Sequence, residues 1–194
     1  ETTPFRTLGH IAGVHYIAMT VARGIREAGE NVDLALVSAA AAAHDLGKFG
    51  CRPGERVPLL HYYYTDQWLL GRGMPAVSHI AANHSTWDLE LDNISVESLV
   101  LIYADFRVKQ MRGEDGREIT KIYTLKDSFD VILSKLDNVD EAKRNRYRVV
   151  YSRLYEFERY MRYKGVDVDL TGNPDPAEKP VDIVLQSGKQ IVRS

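Results

Sequence analysis

The sequence contains a single cysteine, no long apolar run and no surplus of basic residues. One thiol, that of Cys51, cannot form an internal disulfide and suits a reducing compartment. No apolar run approaches the roughly 18 residues of a membrane span, and the first residues do not follow a signal-peptide pattern. The formal net charge of -2 leaves no basic excess for sequence-independent nucleic-acid binding. We therefore expect a cytoplasmic protein without a membrane or nucleic-acid partner.

Helical periodicity dominates what is present. The 194 residues are 44% hydrophobic and 27% charged, an ordinary globular composition that suffices for one substantial core. Apolar residues recur at three- and four-residue steps from Ile11 to Ile25, and Asp33 is placed to cap a second helix that reaches Leu46 and stops at Gly47. Further helices are predicted at about 59–71, 75–84, 95–112, 125–136 and 140–164. The pattern predicts an all-α bundle of about six to eight helices.

Two stretches depart from the helical pattern. The segment GREITKIYTL, residues 116–125, is compatible with a short hairpin arm. From Thr171 the composition changes to a Pro-containing linker and one strand-like stretch, so we divide the chain into a helical domain, 1–170, and a non-helical tail, 171–194. We expect this tail to be disordered or docked on the bundle, and residues 9–164 to fold without it. The first residue, Glu1, is not Met, which suggests a segment of a longer chain.

A run of five alanines, Ala39 to Ala43, leads directly into His44 and Asp45. Small side chains let two helices approach closely, and close packing holds the residues at a helix end in fixed positions, as a metal site requires. Neighbouring helical residues point about 100° apart, yet both side chains can converge on an ion that lies beyond the helix end. The alternative is a capping Asp beside an incidental His, which leaves the other histidines unexplained.

Four more side chains of metal-binding type stand in suggestive settings. His10 lies in GHIAGV, His61 in PLLHYYYT, His84 in NHSTWD and Asp105 in LVLIYADFRVK. A carboxylate inside an apolar run is costly unless it is paired or bound to a cation, which makes Asp105 informative. Together with the His-Asp pair, these residues form a candidate set of metal ligands.

The order of these elements resembles the HD-domain superfamily of metal-dependent phosphohydrolases, helical bundles that carry a His, a His-Asp pair and a distal Asp. The stretches HIAGV, HDLGK, LLH, NHST and YADF, in that order over 9–112, are similar to the pattern of the bacterial symmetric dinucleoside-tetraphosphate hydrolases. The two extra histidines resemble the dinuclear branch of the superfamily. The HD-GYP cyclic dinucleotide phosphodiesterases are a looser match, because HSTWDLEL stands where their Gly-Tyr-Pro signature is expected.

The resemblance implies two divalent metal ions in an HD-domain bundle. Their ligands in this sequence would be His10, His44, Asp45, His61, His84 and Asp105. Asp45 would bridge the ions through one carboxylate oxygen each, beside a bridging hydroxide that attacks phosphorus. Mixed imidazole and carboxylate ligands suit iron, manganese, cobalt, nickel or zinc. His15 stays open as an alternative first ligand, although apolar residues follow His10 at the family's offsets.

Phosphoryl transfer also needs positive charge near the developing oxyanion. Lys48 follows the His-Asp pair and Arg107 follows Asp105, so we predict catalytic roles for Asp45, Lys48 and Arg107. The predicted substrate-binding residues are Lys48, Arg52, Arg107 and Lys109. The expected function is hydrolysis of a phosphoanhydride or phosphodiester bond in a small nucleotide. The alternatives are a di-iron oxygenase of the HD type, which redox chemistry would distinguish, and a regulatory module that binds a nucleotide without cleaving it.

Overall fold

Seven α-helices and one small hairpin make up the part of the chain that the structure, a computed structural model, describes: residues 7–84, 94–113, 118–135 and 140–172. The elements in chain order are α1 (Leu8–Glu27), α2 (Leu34–Ala43), a 3-10 helix (Leu46–Phe49), α3 (Val57–Leu70), α4 (Pro75–Ala82), α5 (Val96–Arg107), β1 (Val108–Arg112), β2 (Glu118–Ile122), α6 (Leu125–Lys135) and α7 (Glu141–Tyr163). The predicted all-α bundle is confirmed. Within these ranges no helix combines the length and the apolar character that crossing a membrane demands.

Side-chain caps set where four of the described helices begin: α2, α5, α7 and α6, in which the Thr124 hydroxyl accepts from the Asp127 N–H at 3.1 Å. Asp33 accepts a hydrogen bond from the Leu36 N–H at 3.0 Å, as predicted for the start of α2. Ser95 and Asp140 cap α5 and α7 in the same way. Each cap satisfies a backbone donor that has no partner inside the helix, which typically stabilises the helix by about 1 kcal/mol.

The first helix lies in the middle of the bundle. It packs against α2, α5 and both strands, and its buried stripe includes Val14, Ile17 and Val21, each with no exposed surface. Full burial of one such side chain is worth about 1.5–3 kcal/mol. Because α1 contacts so many elements, a residue in its first turn is held firmly against the ends of its neighbours.

Gly47 does not stop α2 as the sequence predicted. The helix already ends at Ala43, and Gly47 lies inside the 3-10 helix. It must be glycine because α3 passes so close: an added Cβ would lie 1.9 Å from the carbonyl oxygen of His61 and 2.6 Å from the amide nitrogen of Thr65. Any side chain at this position would push α3 away from the turn that follows α2.

The predicted helix 95–112 is wrong at its C-terminal end. The helix α5 ends at Arg107, and the next five residues form β1, which pairs antiparallel with β2 in a register that places Val108 opposite Ile122. Both of these side chains are buried, so cross-strand packing outweighs the helical propensity of the Lys, Gln, Met and Arg that follow. The hairpin expected at 116–125 is present, and its first strand comes from the residues assigned to the helix.

The packed part of the chain continues beyond α7. Val166 and Val168 are 5% and 2% exposed, and Gly172 exchanges two main-chain hydrogen bonds with Ile122 of the hairpin. Residues 166–172 are therefore a non-helical segment docked on the bundle. The remainder of the predicted tail, 173–194, lies outside the described residues.

Candidate metal centre

Five helices deliver the six predicted metal ligands to one place. His10 lies in the first turn of α1, His61 in the first turns of α3 and Asp105 near the end of α5. The His44-Asp45 pair follows α2 directly, and His84 follows α4. The side chains of His44, Asp45, His61 and His84 are almost completely buried, whereas that of Asp105 is 23% exposed. The cluster is thus closed on the α3–α4 side and more open at α5.

Asp45 stands at the centre of this cluster and presents a different carboxylate oxygen to each half. Its Oδ2 lies 3.6 Å from His10 Nε2 and 3.7 Å from His44 Nε2. Its Oδ1 lies 3.7 Å from His61 Nε2 and 3.9 Å from His84 Nε2. Each carboxylate oxygen of Asp45 therefore faces two imidazoles, and the rings of His44 and His84 meet across the two pairs with their centroids 4.8 Å apart.

Asp105 completes the more open half. Its Oδ1 lies 2.9 Å from His10 Nε2 and 3.9 Å from His44 Nε2. Two triplets, His10–His44–Asp105 and His44–Asp45–His84, offer ligand atoms within 4.8 Å of one another. Ligand atoms that share an ion at bond lengths of about 2.1 Å lie about 3–3.5 Å apart. The buried cluster could therefore hold a metal ion after small side-chain movements.

Main-chain carbonyl groups fix the tautomer of three histidines. The Nδ1 atoms of His44, His61 and His84 lie 2.8, 2.6 and 2.6 Å from the carbonyl oxygens of Ala41, Val57 and Ala81. A carbonyl oxygen can only accept, so Nδ1 carries the hydrogen and Nε2 presents its lone pair to Asp45. Bonds of this kind orient metal-ligating imidazoles and hold them in the binding tautomer.

The ends of α2 and α4 explain why histidines stand there. The last four carbonyl groups of a helix lack an intrahelical partner, and both Ala41 and Ala81 belong to that last turn. A histidine three residues further on reaches back to the free carbonyl and turns its other nitrogen away from the helix. The alanines contribute because Ala40 and Ala41 are fully buried, and their small size lets α2 approach α1, α4 and α5 closely.

Burial and charge together favour the protonation states that bind cations. Burial lowers the pKa of the imidazoles of His44 and His61 and lowers that of His84 to about 4. Burial opposes ionisation of Asp45 and Asp105 as well, but the cluster's histidines and the nearby lysine ammonium groups outweigh it and hold both carboxyl pKa values below their ordinary range. Neutral imidazoles and ionised carboxylates are the state in which these groups ligate a metal.

Two lysines lie beside the two carboxylates. Lys48 Nζ donates a hydrogen bond to Asp45 Oδ2, and its side chain is 25% exposed. Lys109 Nζ donates to the main-chain carbonyl of Asp105 at 2.8 Å and lowers the pKa of its carboxyl group. Both predicted cations therefore lie at the open side of the cluster.

Arg107 does not fit the catalytic and substrate-binding roles predicted for it. Its side chain is 1% exposed, and its guanidinium donates to the Tyr103 hydroxyl and to the main-chain carbonyl groups of Tyr123, Val168 and Leu170 at 2.6–2.9 Å. These donors are committed to holding residues 166–172 against α5 and the hairpin. A side chain so enclosed cannot reach a substrate.

Two other residues considered in the sequence, His15 and Arg52, lie away from the centre of the cluster. His15, the alternative first ligand, is buried with its Nε2 2.9 Å from Ser38 Oγ, whereas His10 is the one that faces Asp45 and Asp105. Arg52 lies on the exposed loop between the 3-10 helix and α3, where its main-chain N–H bonds to Glu55. Its substrate-binding role stays a prediction.

Tyr62 is a neighbour of the cluster that sequence reasoning missed. Its ring centroid lies 3.8 Å from that of His61 and 5.1 Å from that of His84, so it covers the more buried half of the cluster. In the sequence it is the first of three tyrosines in HYYYT, and residue type alone did not identify which of them turns towards the histidines. Helical bearing would have favoured Tyr64, which points about 60° from His61, over Tyr62 at about 100°, so the sequence held no signal that identified Tyr62.

Comparison with known proteins gives no relative: no family model, no curated protein and no solved structure matches this chain. The site therefore has to be interpreted from its own geometry. That geometry defines a helical protein with a buried imidazole–carboxylate cluster that could hold a metal ion.

Proposed function

We propose that this protein is a metal-dependent phosphohydrolase of the HD type, which holds two divalent transition-metal ions and cleaves a phosphoanhydride or phosphodiester bond in a small nucleotide. The observation that carries the proposal is the position of Asp45 between two pairs of imidazoles, with one carboxylate oxygen for each pair. His10, His44 and Asp105 would hold one ion, and His61 and His84 the other. The mixed donor set fits iron, manganese, cobalt, nickel or zinc.

The acceptors that converge in the cluster favour a bound cation. Three Nε2 lone pairs and two carboxylates face one another, and acceptors that converge without a cation or proton between them repel. Lys48 supplies one ammonium group to Asp45 Oδ2, and among the described residues no lysine or arginine forms an ion pair with the Oδ1 that faces His61 and His84. Divalent ions would balance these groups, and they would supply a hydroxide nucleophile at neutral pH by lowering the pKa of bound water.

The two lysines support a substrate that carries phosphate groups. Lys48 and Lys109 are half-buried, so each stem is held by the protein while the ammonium group lies at the open side of the cluster. Positive groups fixed in such a position stabilise the charge that develops on phosphate oxygens during phosphoryl transfer. Because the Arg107 guanidinium is occupied by hydrogen bonds elsewhere in the fold, these two side chains would be the described cations nearest to the substrate, and the loop residue Arg52 could add to their charge.

The metal part of the proposal is tested by elemental analysis of the purified protein. We expect about two transition-metal ions per chain in the wild type and about one in His61→Ala and in His84→Ala. His79→Ala is the matched control, because His79 is exposed on α4 and should not change the count. Unchanged occupancy in both ligand variants would exclude the two-ion site.

The chemical part is tested with a substrate panel. Dinucleoside polyphosphates, guanosine polyphosphates, nucleoside triphosphates, cyclic dinucleotides and a generic phosphodiester are incubated with manganese, iron, cobalt or nickel. We expect metal-dependent cleavage of a phosphate bond, and a loss of about a hundred- to a thousand-fold in rate in Lys48→Ala with its metal content intact. Lys126→Ala, an exposed lysine of α6, is the control. Oxygen consumption without phosphate release would instead indicate the oxygenase, and nucleotide binding without turnover the regulatory module.

A further inference from the structure

We propose that Thr65 is a positioning residue that ties the turn carrying His44 and Asp45 to helix α3 and thereby lets both halves of the cluster hold an ion at the same time. This inference rests on the proposed two-ion function. It concerns a residue that touches none of the six ligand side chains through its own hydroxyl group, and it follows from three features of the packing between the 3-10 helix and α3.

The first feature is the hydrogen bonding of the Thr65 hydroxyl. It accepts from the Gly47 N–H at 2.9 Å and donates to the His44 carbonyl oxygen at 3.3 Å. One side chain thus satisfies main-chain groups on both sides of Asp45. Thr65 has no exposed surface, so water cannot replace these bonds without a rearrangement.

The second feature is the absence of a side chain at Gly47. Because an added Cβ would come within 1.9 Å of the His61 carbonyl oxygen, the turn and α3 are in main-chain contact here. Thr65 lies four residues after His61 on the same helix, one turn further along the same face. The hydroxyl therefore fixes the turn against the helix segment that carries a ligand of the other half.

The third feature is the geometry that this contact controls. Asp45 Oδ1 lies 3.7 Å from His61 Nε2, and Asp45 Oδ2 lies 3.7 Å from His44 Nε2. His44 and Asp45 move with the turn, whereas His61 moves with α3. A shift of the turn along α3 would change the distance from Asp45 to His61 while the distance from Asp45 to His44 stayed the same. The tie through Thr65 would therefore affect the ion on the His61 and His84 side more than the other.

The test compares Thr65→Val, which keeps the volume and removes both hydrogen bonds, with Thr65→Ser, which keeps the hydroxyl. Manganese binding to the metal-stripped chain is measured by calorimetry, together with elemental analysis. We expect Thr65→Val to bind one ion with the wild-type affinity and the second about 10–100-fold more weakly, and Thr65→Ser to restore two-ion binding. If Thr65→Val does not fold, Thr65→Ala is measured in its place.

The matched control is Ser78→Ala. Ser78 is buried on α4, and its hydroxyl bonds to Asp66, the residue next to Thr65, so its loss loosens α3 without touching the turn that carries Asp45. Ser78→Ala should lower the melting temperature and leave both ions bound. An equal loss of the second ion in Ser78→Ala, or in Thr65→Ser, would overturn the assignment, since general loosening or lost volume would then explain it.

The results also separate this inference from the function on which it rests. If the wild type binds two ions and Thr65→Val does so with unchanged affinities, only the role of Thr65 fails. If the wild type binds a single ion, the two-ion site fails, and the coupling assigned to Thr65 fails with it. None of these measurements depends on finding the natural substrate.

Discussion

The helix α5 carries a half-buried carboxylate and a buried guanidinium that lie two residues apart and belong to opposite kinds of cluster. Asp105 joins the histidines, where lone pairs and carboxylates face one another and the protein supplies few hydrogen-bond donors. The Arg107 guanidinium belongs to a hydrogen-bonded group in which it donates to one hydroxyl and three main-chain carbonyl groups at 2.6–2.9 Å. In the first cluster the described residues bring lone pairs and carboxylates face to face, whereas in the second each of these guanidinium donors meets an acceptor.

This difference distinguishes a candidate binding site, the histidine cluster, from a structural contact, the hydrogen bonds of Arg107. A buried polar group is tolerated when its partners are present in the fold, and it is costly when they are absent. The Arg107 guanidinium finds its hydrogen-bond acceptors within the fold and holds residues 166–172 in place. The histidine cluster brings lone pairs and carboxylates together, an arrangement that a cation or additional protons would stabilise, and this distinguishes it as a candidate for function.

The largest effect should follow from removing the carboxylate shared by both halves of the histidine–carboxylate cluster. In Asp45→Asn the side-chain volume is kept, but each half loses an anionic oxygen, so we expect both ions and all turnover to be lost while the helical circular dichroism spectrum is kept. Elemental analysis and the substrate panel measure this. Asp66→Asn, at a partly exposed residue of α3, serves as the control. Retention of two ions in Asp45→Asn would show that Asp45 is not their bridge.

Removing the C-terminal segment that is hydrogen-bonded to Arg107 should give the next largest effect. A chain that ends after Lys164 loses the buried Val166 and Val168 and two acceptors of Arg107. We expect a loss of about 5 kcal/mol or more in the free energy of unfolding, contrary to the expectation that residues 9–164 suffice. A chain that ends after Gly172 keeps these groups and should melt at a clearly higher temperature than the shorter chain, as measured by calorimetry. Equal melting of the two truncated chains would contradict the docked segment.

Replacing the Arg107 guanidinium should lower the free energy of unfolding by less than the truncation does, because residues 166–172 stay in the chain. Arg107→Met leaves three carbonyl oxygens without their donor, and we expect a loss of about 3 kcal/mol, or about 6–12 °C in melting temperature. The exposed Arg159→Met is the control on α7. Metal content should be unchanged in both variants below their melting temperatures. A stable Arg107→Met protein that has lost catalysis alone would restore the catalytic role first predicted for this residue.

The sequence was sufficient to predict most helices and the set of residues that meet at the cluster. Helical periodicity and the cap at Asp33 depend on local chemistry, which the sequence states directly. The role of Arg107 could not be predicted, because its acceptors lie on residues far along the chain and only tertiary packing brings them together. The end of α5 was missed for the same reason, since strand pairing with Ile122 decides it. Gly47 was interpreted as a helix stop because a close approach between main chains leaves no mark in a sequence.

The smallest effect concerns His15, which lies on α1 with His10 but belongs to neither cluster. Burial, helped by the charge of Arg23, lowers the pKa of its imidazole, so the unfolded chain binds this proton more readily than the folded one. The free energy of unfolding should therefore fall as the pH drops below about 6.5, by up to about 1.4 kcal/mol per pH unit, until the folded-state pKa is passed. In His15→Gln this contribution disappears, and urea unfolding at pH 7.5 and 5.5 should show a smaller difference in the free energy of unfolding than in the wild type.

The metal content of His15→Gln should be unchanged, because His15 Nε2 is bonded to Ser38 Oγ. A variant that lost an ion would make His15 the first ligand in place of His10.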